Sequence, residues 1–544
     1  MVKWVGRLVS VAVSWVEPNV RLFLSTRQIL LWSLAVLIGF GVAIFAVVFR
    51  EAIGLVQLLW LGTRSEEVAT AAEQLPWYVI LLAPAIGGVA VGVFLQRVMG
   101  GRRAGGVADV MEARTFGGRT LGLRHGINSA FVTILSLGCG ASAGREGPIV
   151  HLGGTIGASL SGLLLLPDNA RRVLLACGVA SAISTSFNAP IAGVLFAHEV
   201  ILGHYAVSAF VPIVIASAAG AIVSRLWFGD VAAFVIPDYQ LTSYWEFPAF
   251  AILGVTCAAV AIIFQFALIG TDWLARNVTV PLWMRPAIGG LMVGAIAIFF
   301  PEILGVGYEA TDDALRQRLP LYVMLMLLVA KTAATSITLA SRFGGGIVAP
   351  AFFLGAMTGG AYGLIAASVF PEFSSSHGLY AILGMGAVGA AILSAPISTT
   401  MIVFELTGGY GLSIALLLSA SIATGLHQAV HGRSFFHWQL EARGLMLQEG
   451  PHAWLVKRVV VRDFMARHKP NETPEIYDPE TDGPALKPGD SLETALRTFD
   501  DSGRNTLPVV DPRQPDVVVG TAAHVRALRY FNKALIAQSV EEHR

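Results

Sequence analysis

Long apolar runs broken by short polar stretches dominate the chain. Residues 28–48 can cross a bilayer, and the apolar pattern continues past Arg50 and Glu51 to about Leu61, which predicts a long tilted helix. Residues 77–98 form a second span. A polar, glycine-rich segment, 100–126, leads to an apolar run at 127–138 and then to predicted helices over 149–166 and 173–184. A further helix restarts at Pro190 and runs through Glu199, followed by spans at 206–227, 247–269 and 414–430 and a last helix over 434–448. Several of these pieces are well short of the roughly twenty residues that a crossing needs. Broken helices follow, and their bare ends must be shielded by protein or line a wet cavity, because an unpaired amide in lipid is costly.

The second half echoes the first. Pro148-x-x-x-Leu152-Gly153 returns as Pro350-x-x-x-Leu354-Gly355, and Ala189-Pro190-Ile191 with Glu199 returns as Ala395-Pro396-Ile397 with Glu405. Two matches in one order, both at interrupted helices, point to a transporter-type repeat with its site where the halves meet. The halves fall at about 28–228 and 245–448, after an N-terminal segment, 1–27, and before a tail, 449–544, that reads as a small soluble α/β domain. Within it a helix is predicted over 491–501 and a strand over 506–510.

Composition narrows the class. With 55% hydrophobic and 13% charged residues, the chain is too apolar for a soluble protein. A net charge of +1 gives no basic surplus for nucleic acid. Cys139, Cys177 and Cys257 lie in apolar runs and read as small buried residues, not a disulfide set. No metal site or cofactor is expected. Lys3, Arg7, Arg21 and Arg27 precede the first span and favour a cytoplasmic N-terminus; the C-terminus is expected on the same side.

Against this background Ser142-Ala143-Gly144-Arg145-Glu146-Gly147-Pro148 stands out. Ionisable residues inside a membrane are functional by default. Pro148 suits the first turn of a helix, and a helix start with free amides attracts anions. Glu146 would set its own carboxylate at such a site, in competition with a dissolved anion.

These residues identify the chain as resembling the CLC family of chloride channels and proton-coupled chloride transporters over about 28–448. Gly144-Arg145-Glu146-Gly147-Pro148 matches its signature in full; Gly346-Ile347-Val348-Ala349-Pro350 matches a second motif with valine for phenylalanine; Ala104-Gly105-Gly106-Val107-Ala108 is a degenerate form of a third. The resemblance implies an all-α polytopic fold of two inverted halves with broken helices, embedded in the lipid bilayer as a homodimer with one anion pathway per subunit. It implies that Glu146 is the gate and that Gly105, Gly106, Arg145, Gly147, Gly346, Ile347, Val348 and Phe436 surround the anion. Gly105 replaces a serine and Phe436 a tyrosine, so two hydroxyl donors are lost. Val200 aligns with the inner glutamate that passes protons in the coupled members, which leaves Glu199 and His198 as candidate proton carriers. Glu199, matched by Glu405, also reads as a shared structural residue. His151, His198 and His204 otherwise read as satisfied buried or interfacial histidines.

The tail resembles one CBS repeat, through Val461-Arg462-Asp463-Phe464-Met465 and Asn505-Thr506-Leu507-Pro508-Val509-Val510-Asp511. An adenine nucleotide is the ligand that such a repeat implies, but Arg526 occupies the position of the expected aspartate. The function read from sequence is transport of chloride-like monovalent anions, passive or weakly coupled, with a proton-coupled antiporter as the alternative. A distant rival from another class is an intramembrane hydrolase, because Gly140-Ala141-Ser142-Ala143-Gly144 spells G-x-S-x-G. The main reading is not an enzyme.

Overall fold

The structure is a computed structural model, and it describes residues 28–543 apart from 116–120, 230–233, 235–238, 240–242, 370–374, 408–411, 446–458, 469–474 and 513. The N-terminal segment 1–27, with its basic residues, and the expected boundary near Glu449 lie outside the described residues.

The first half runs α1 (Gln28–Leu61), α2 (Val68–Glu73), α3 (Trp77–Arg97), α4 (Val107–Thr115), α5 (Leu123–Gly138), α6 (Glu146–Leu163), α7 (Asp168–Phe187), α8 (Pro190–Phe196) and α9 (Val207–Phe228). The second runs α10 (Phe247–Asn277), α11 (Arg285–Ala297), α12 (Tyr308–Leu315), α13 (Leu321–Ala340), α14 (Val348–Val369), α15 (His377–Leu393), α16 (Pro396–Thr407), α17 (Ser413–His431) and α18 (Phe435–Glu441). Among the described residues, seven helices are long and apolar enough to cross a membrane, whereas 190–202, Arg285–Ala297 and His377–Leu393 are shorter apolar pieces. At about 1.5 Å per residue, the thirteen residues of α11 fall short of a hydrocarbon core about 30 Å thick. The polar segment expected over 100–126 holds helix α4, and α8 continues from Phe196 into a π-helical turn, Ala197–Leu202.

The repeat seen in sequence is a repeat of packing. A side chain at Gly153 would strike the Gly178 carbonyl at 2.4 Å, and one at Gly355 would strike the Gly384 carbonyl at 2.4 Å. Helices α6 and α7 therefore cross glycine on glycine, as do α14 and α15; small residues let backbones approach this closely. Both second helices end on a left-handed residue, Asn188 (φ 53°) and Ser394 (φ 51°), just before the Ala-Pro step that starts the next helix. Cys177 and Cys257 are buried, whereas Cys139 is half-buried; all three are free thiols.

Contacts divide the chain into two compact units, residues 1–439 and 440–544. In the second, β4 (Gln514–Ala523) pairs antiparallel with β1 (Ala466–Arg467), β2 (Glu475–Ile476) and β3 (Thr506–Asp511). The Ser491 side chain caps the helix Leu492–Ser502, whose Leu492, Ala495 and Phe499 pack with Leu507, Val509 and Ala522.

Candidate functional site

Helix α6 begins at Glu146, three residues earlier than the pattern suggested. Pro148 is its third residue, still within the turn whose amides have no helical acceptor, so the missing N–H costs nothing. Glu146 is thereby the first helical residue and sits at the positive end of α6.

The loops before α6 and α14 meet. Gly144 N–H donates to the Gly346 carbonyl and Gly346 N–H to that of Gly144, each at 2.7 Å, as an isolated antiparallel bridge. Equal residues of the two halves thus pair in opposite chain directions, and the starts of α6 and α14 converge. The contact requires glycine: a Cβ on Gly147 would stand 3.2 Å from the Gly346 Cα, and one on Gly346 would stand 3.0 Å from the Gly147 amide. A Cβ on Gly144 would lie 2.5 Å from Glu146 Oε2 and 3.1 Å from the Ala349 amide. The absence of a side chain there leaves room for the carboxylate.

Glu146 is fully buried. Its Oε1 accepts a 3.0 Å hydrogen bond from the Tyr308 hydroxyl, while Oε2 has no hydrogen-bond partner and faces the start of α14. A carboxylate here is held by two helix ends, each worth up to about 2 kcal/mol in a partly buried setting, and by one charge-assisted bond.

Outside the gate lies a charged vestibule. Arg145 reaches Glu66 at 2.6 Å and lies over the Tyr308 ring at 4.9 Å; Arg50, from α1, reaches the same Glu66 oxygen at 2.9 Å. With Gly307 and Phe228 these residues line a cavity of about 170 Å³, and a neighbouring cavity of about 200 Å³ adds Phe187, Asn188 and Phe234. A water takes roughly 30 Å³ in the liquid, so either space is large enough for a partly hydrated small ion. Two arginines against one glutamate leave net positive charge in front of Glu146. Burial works against the Glu66 charge, but Arg145 and then Arg50 outweigh it and hold its carboxyl below the usual range.

The other predicted residues fall into distinct places. No main-chain hydrogen bond is formed by the N–H groups of Ile347 and Val348 among the described residues, and both groups lie at the open end of α14. The Gly346 amide is committed to the bridge. The Gly105 amide donates to Ser129 Oγ (3.0 Å) and the Gly106 amide to Asp109 Oδ2 (2.7 Å), so these two are capped from within the protein. Phe436 is buried beside Phe435, with ring centroids 6.5 Å apart, and offers no donor.

Both oxygens of Glu199 accept main-chain bonds at the start of α16, from Ile397 (3.1 Å) and Ser398 (2.7 Å). Glu405 does the same for α8, accepting from Ile191 (3.1 Å) and Ala192 (2.7 Å). Each half caps a helix of the other. His198, in the π-helical turn, has Nδ1 3.0 Å from the His204 carbonyl and stacks on Tyr205 and Phe210. The expectation of a satisfied histidine fails at His151, which is buried with neither ring nitrogen bonded; a notch opposite Gly105 holds the ring by shape alone. Ser142, the hydrolase candidate, has its hydroxyl 3.4 Å from Thr335 Oγ1 and its amide bonded to Thr338 Oγ1. Its partner is thus a threonine hydroxyl on α13, which is not a base.

Local sequence patterns do not single out Tyr308, Glu66, Arg50 or Lys331 as site residues. Lys331 Nζ donates to the carbonyls of Ile303 (3.0 Å) and Gly305 (3.1 Å), which fixes the turn leading through Gly307 (φ 87°) to Tyr308. A signal did exist: the repeat offset that pairs Pro148 with Pro350 also pairs Gly105 with Gly307, and so marks the start of α12 as a site element.

A carboxylate seated between two converging helix starts, behind a positively charged vestibule and inside a bundle of interrupted helices, fits a polytopic protein that moves small anions across a membrane. The model of the voltage gated chloride channel family matches residues 87–428, and the chain belongs to that family, the CLC proteins. It is an integral membrane protein that transports anions. It is 31% identical to the ClcB-like chloride channel protein of Ralstonia nicotianae over 71% of this chain and 91% of that one. It is 30% identical to the H(+)/Cl(-) exchange transporter ClcA of Cronobacter sakazakii over 76% of this chain and 90% of that one. Among solved structures, a slow cyanobacterial Cl-/H+ antiporter superimposes with a TM-score of 0.67 at 22% identity, covering 76% of this chain and 97% of that one, a likeness of fold.

Proposed function

We propose that this protein is a proton-coupled antiporter of chloride-like monovalent anions, with Glu146 as the group that anion and proton share. The seating of its carboxylate at the mouths of α6 and α14 carries the reading. A carboxylate there mimics the transported anion, and protonation removes the attraction that holds it. An incoming anion, drawn by Arg50 and Arg145, then takes the amides of Ile347 and Val348. Valine at position 200 argues for passive movement, but relatives that are themselves named proton–chloride exchangers support coupling.

The test is flux in reconstituted vesicles. An imposed chloride gradient is expected to drive protons against their own gradient. Passive proton behaviour with intact anion flux would favour a channel. Glu146→Gln is expected to abolish the pH dependence of anion flux; an unchanged pH profile would mean that a different group gates.

A further inference from the structure

A lysine in the middle of a membrane span calls for a partner, because an ionisable side chain there is costly and is functional by default. Lys331 is the eleventh of the twenty residues of α13 and is fully buried. Its Nζ donates to the carbonyls of Ile303 (3.0 Å) and Gly305 (3.1 Å) and lies 5.1 Å from the centroid of the Phe353 ring. Carbonyl oxygens and an aromatic face both attract a cation, yet no carboxylate pairs with Lys331 among the described residues.

Bracing the turn does not require that charge. The offset of the repeat, 350 − 148 = 202, pairs Lys331 with Ser129 (331 − 129 = 202) and Gly307 with Gly105 (307 − 105 = 202). Ser129 holds the corresponding loop of the first half with a neutral hydroxyl, which accepts from the Gly105 amide at 3.0 Å. The second half places a full charge where the first half manages without one.

The charge faces the entrance to the site. A Cβ on Gly307 would stand 3.0 Å from Lys331 Nζ, and Gly307 also lines the vestibule cavity of about 170 Å³, together with Val306 and Tyr308. Gly307 thus touches both the ammonium and the cavity. The next residue, Tyr308, donates to Glu146 at 3.0 Å, so the ammonium stands behind the strip of wall that leads from the vestibule to the gate. The charged side chains that line this cavity are Arg50, Arg64 and Arg145 against Glu51 and Glu66, a net of one positive charge. Lys331 doubles it. Arg50 and Arg145 share Glu66 and are partly neutralised by it, whereas Lys331 has no acid of its own.

We propose that Lys331 sets the affinity of the vestibule for a monovalent anion, its charge acting across Gly307 before the anion reaches Glu146. It is a positioning residue, since the anion meets the Gly307 backbone and not the ammonium itself. The proposal rests on anion transport and is independent of proton coupling. An anion in van der Waals contact with Gly307 would sit roughly 7 Å from Nζ. A unit charge at that distance, with an effective dielectric constant of about 20 to 40, changes binding by roughly 8- to 55-fold.

The test measures initial chloride flux against chloride concentration in vesicles containing the full chain. Lys331→Gln removes the charge and keeps an N–H donor for the two carbonyls; Lys331→Arg keeps the charge. Lys331→Gln is expected to raise the half-saturating chloride concentration at least about fivefold with little change in maximal flux, and Lys331→Arg to stay within about threefold of the wild type. A smaller rise in Lys331→Gln would overturn the proposal, as would an equal rise in Lys331→Arg, which would trace the effect to the shape of the turn. Failure of both neutral variants, Lys331→Gln and Lys331→Met, to fold would assign the lysine to bracing alone and overturn it too. A wild type with no saturable chloride flux would bring down the anion site itself along with the role of Lys331.

Discussion

Removing one oxygen atom from the Tyr308 hydroxyl isolates the latch on the gate. Tyr308→Phe keeps the ring under Arg145, 4.9 Å away, and deletes only the 3.0 Å bond to Glu146 Oε1. A hydrogen bond to a charged group is worth about 1.5–3 kcal/mol net, and each 1.4 kcal/mol is a factor of ten. The seated state of Glu146 should therefore lose roughly 10- to 150-fold in population relative to the displaced state. Because the bond favours the seated carboxylate, its loss opens the pathway, and chloride efflux from vesicles at neutral pH should rise. The diagnostic is a double-mutant cycle with Glu146→Gln. In that background the carboxylate is already gone, and Tyr308→Phe should add little. An equal gain in both backgrounds, or none in the wild type, would refute the latch.

Two further outcomes follow from the same geometry. Glu199→Gln and Glu405→Gln should each lower the thermal midpoint by a similar few degrees, since each removes a charged cap that accepts two main-chain bonds, a loss of about 1–2 kcal/mol; a collapse of proton coupling in Glu199→Gln at unchanged stability would instead make it a carrier. For Glu66, whose carboxyl is held below its ordinary value of 4.5, the folded-state pKa is depressed, so its stabilisation is complete above that value and lost as pH falls below it. The difference in thermal midpoint between wild type and Glu66→Gln should be flat from about pH 5 to 8 and shrink in acid; a slope across the neutral range would contradict the vestibule ion pairs.

Different features were legible in the chain to different degrees, for physical reasons. The spans could be read because lipid demands long apolar runs, and Glu146 because lipid tolerates so few acids. The repeat could be read because Pro148 and Pro350, and Pro190 and Pro396, mark helix starts that tolerate proline. Glu146 as the first residue of α6 could not be read: Gly144 two residues before it and Gly147 just after it leave the starting residue to tertiary contact. The capping of Gly105 and Gly106 depends on Ser129 and Asp109, one of them on another helix. Tyr308 reaches Glu146 across 162 residues of chain, and no local pattern reports such a partner. Glu66 sits in a loop, where a charge is unremarkable until Arg145 and Arg50 converge on it.

The crossed glutamates have a consequence for how the protein is made. Once the first half has left the ribosome, the amides of Ile191 and Ala192 have no acceptor until Glu405 is synthesised more than two hundred residues later. Glu199 likewise waits for Ile397 and Ser398. Neither half can finish its own helices inside lipid, so insertion must hold the early segments in a polar, protein-lined environment until the later ones arrive, and a chain cut between the halves should mature only when both pieces are present together.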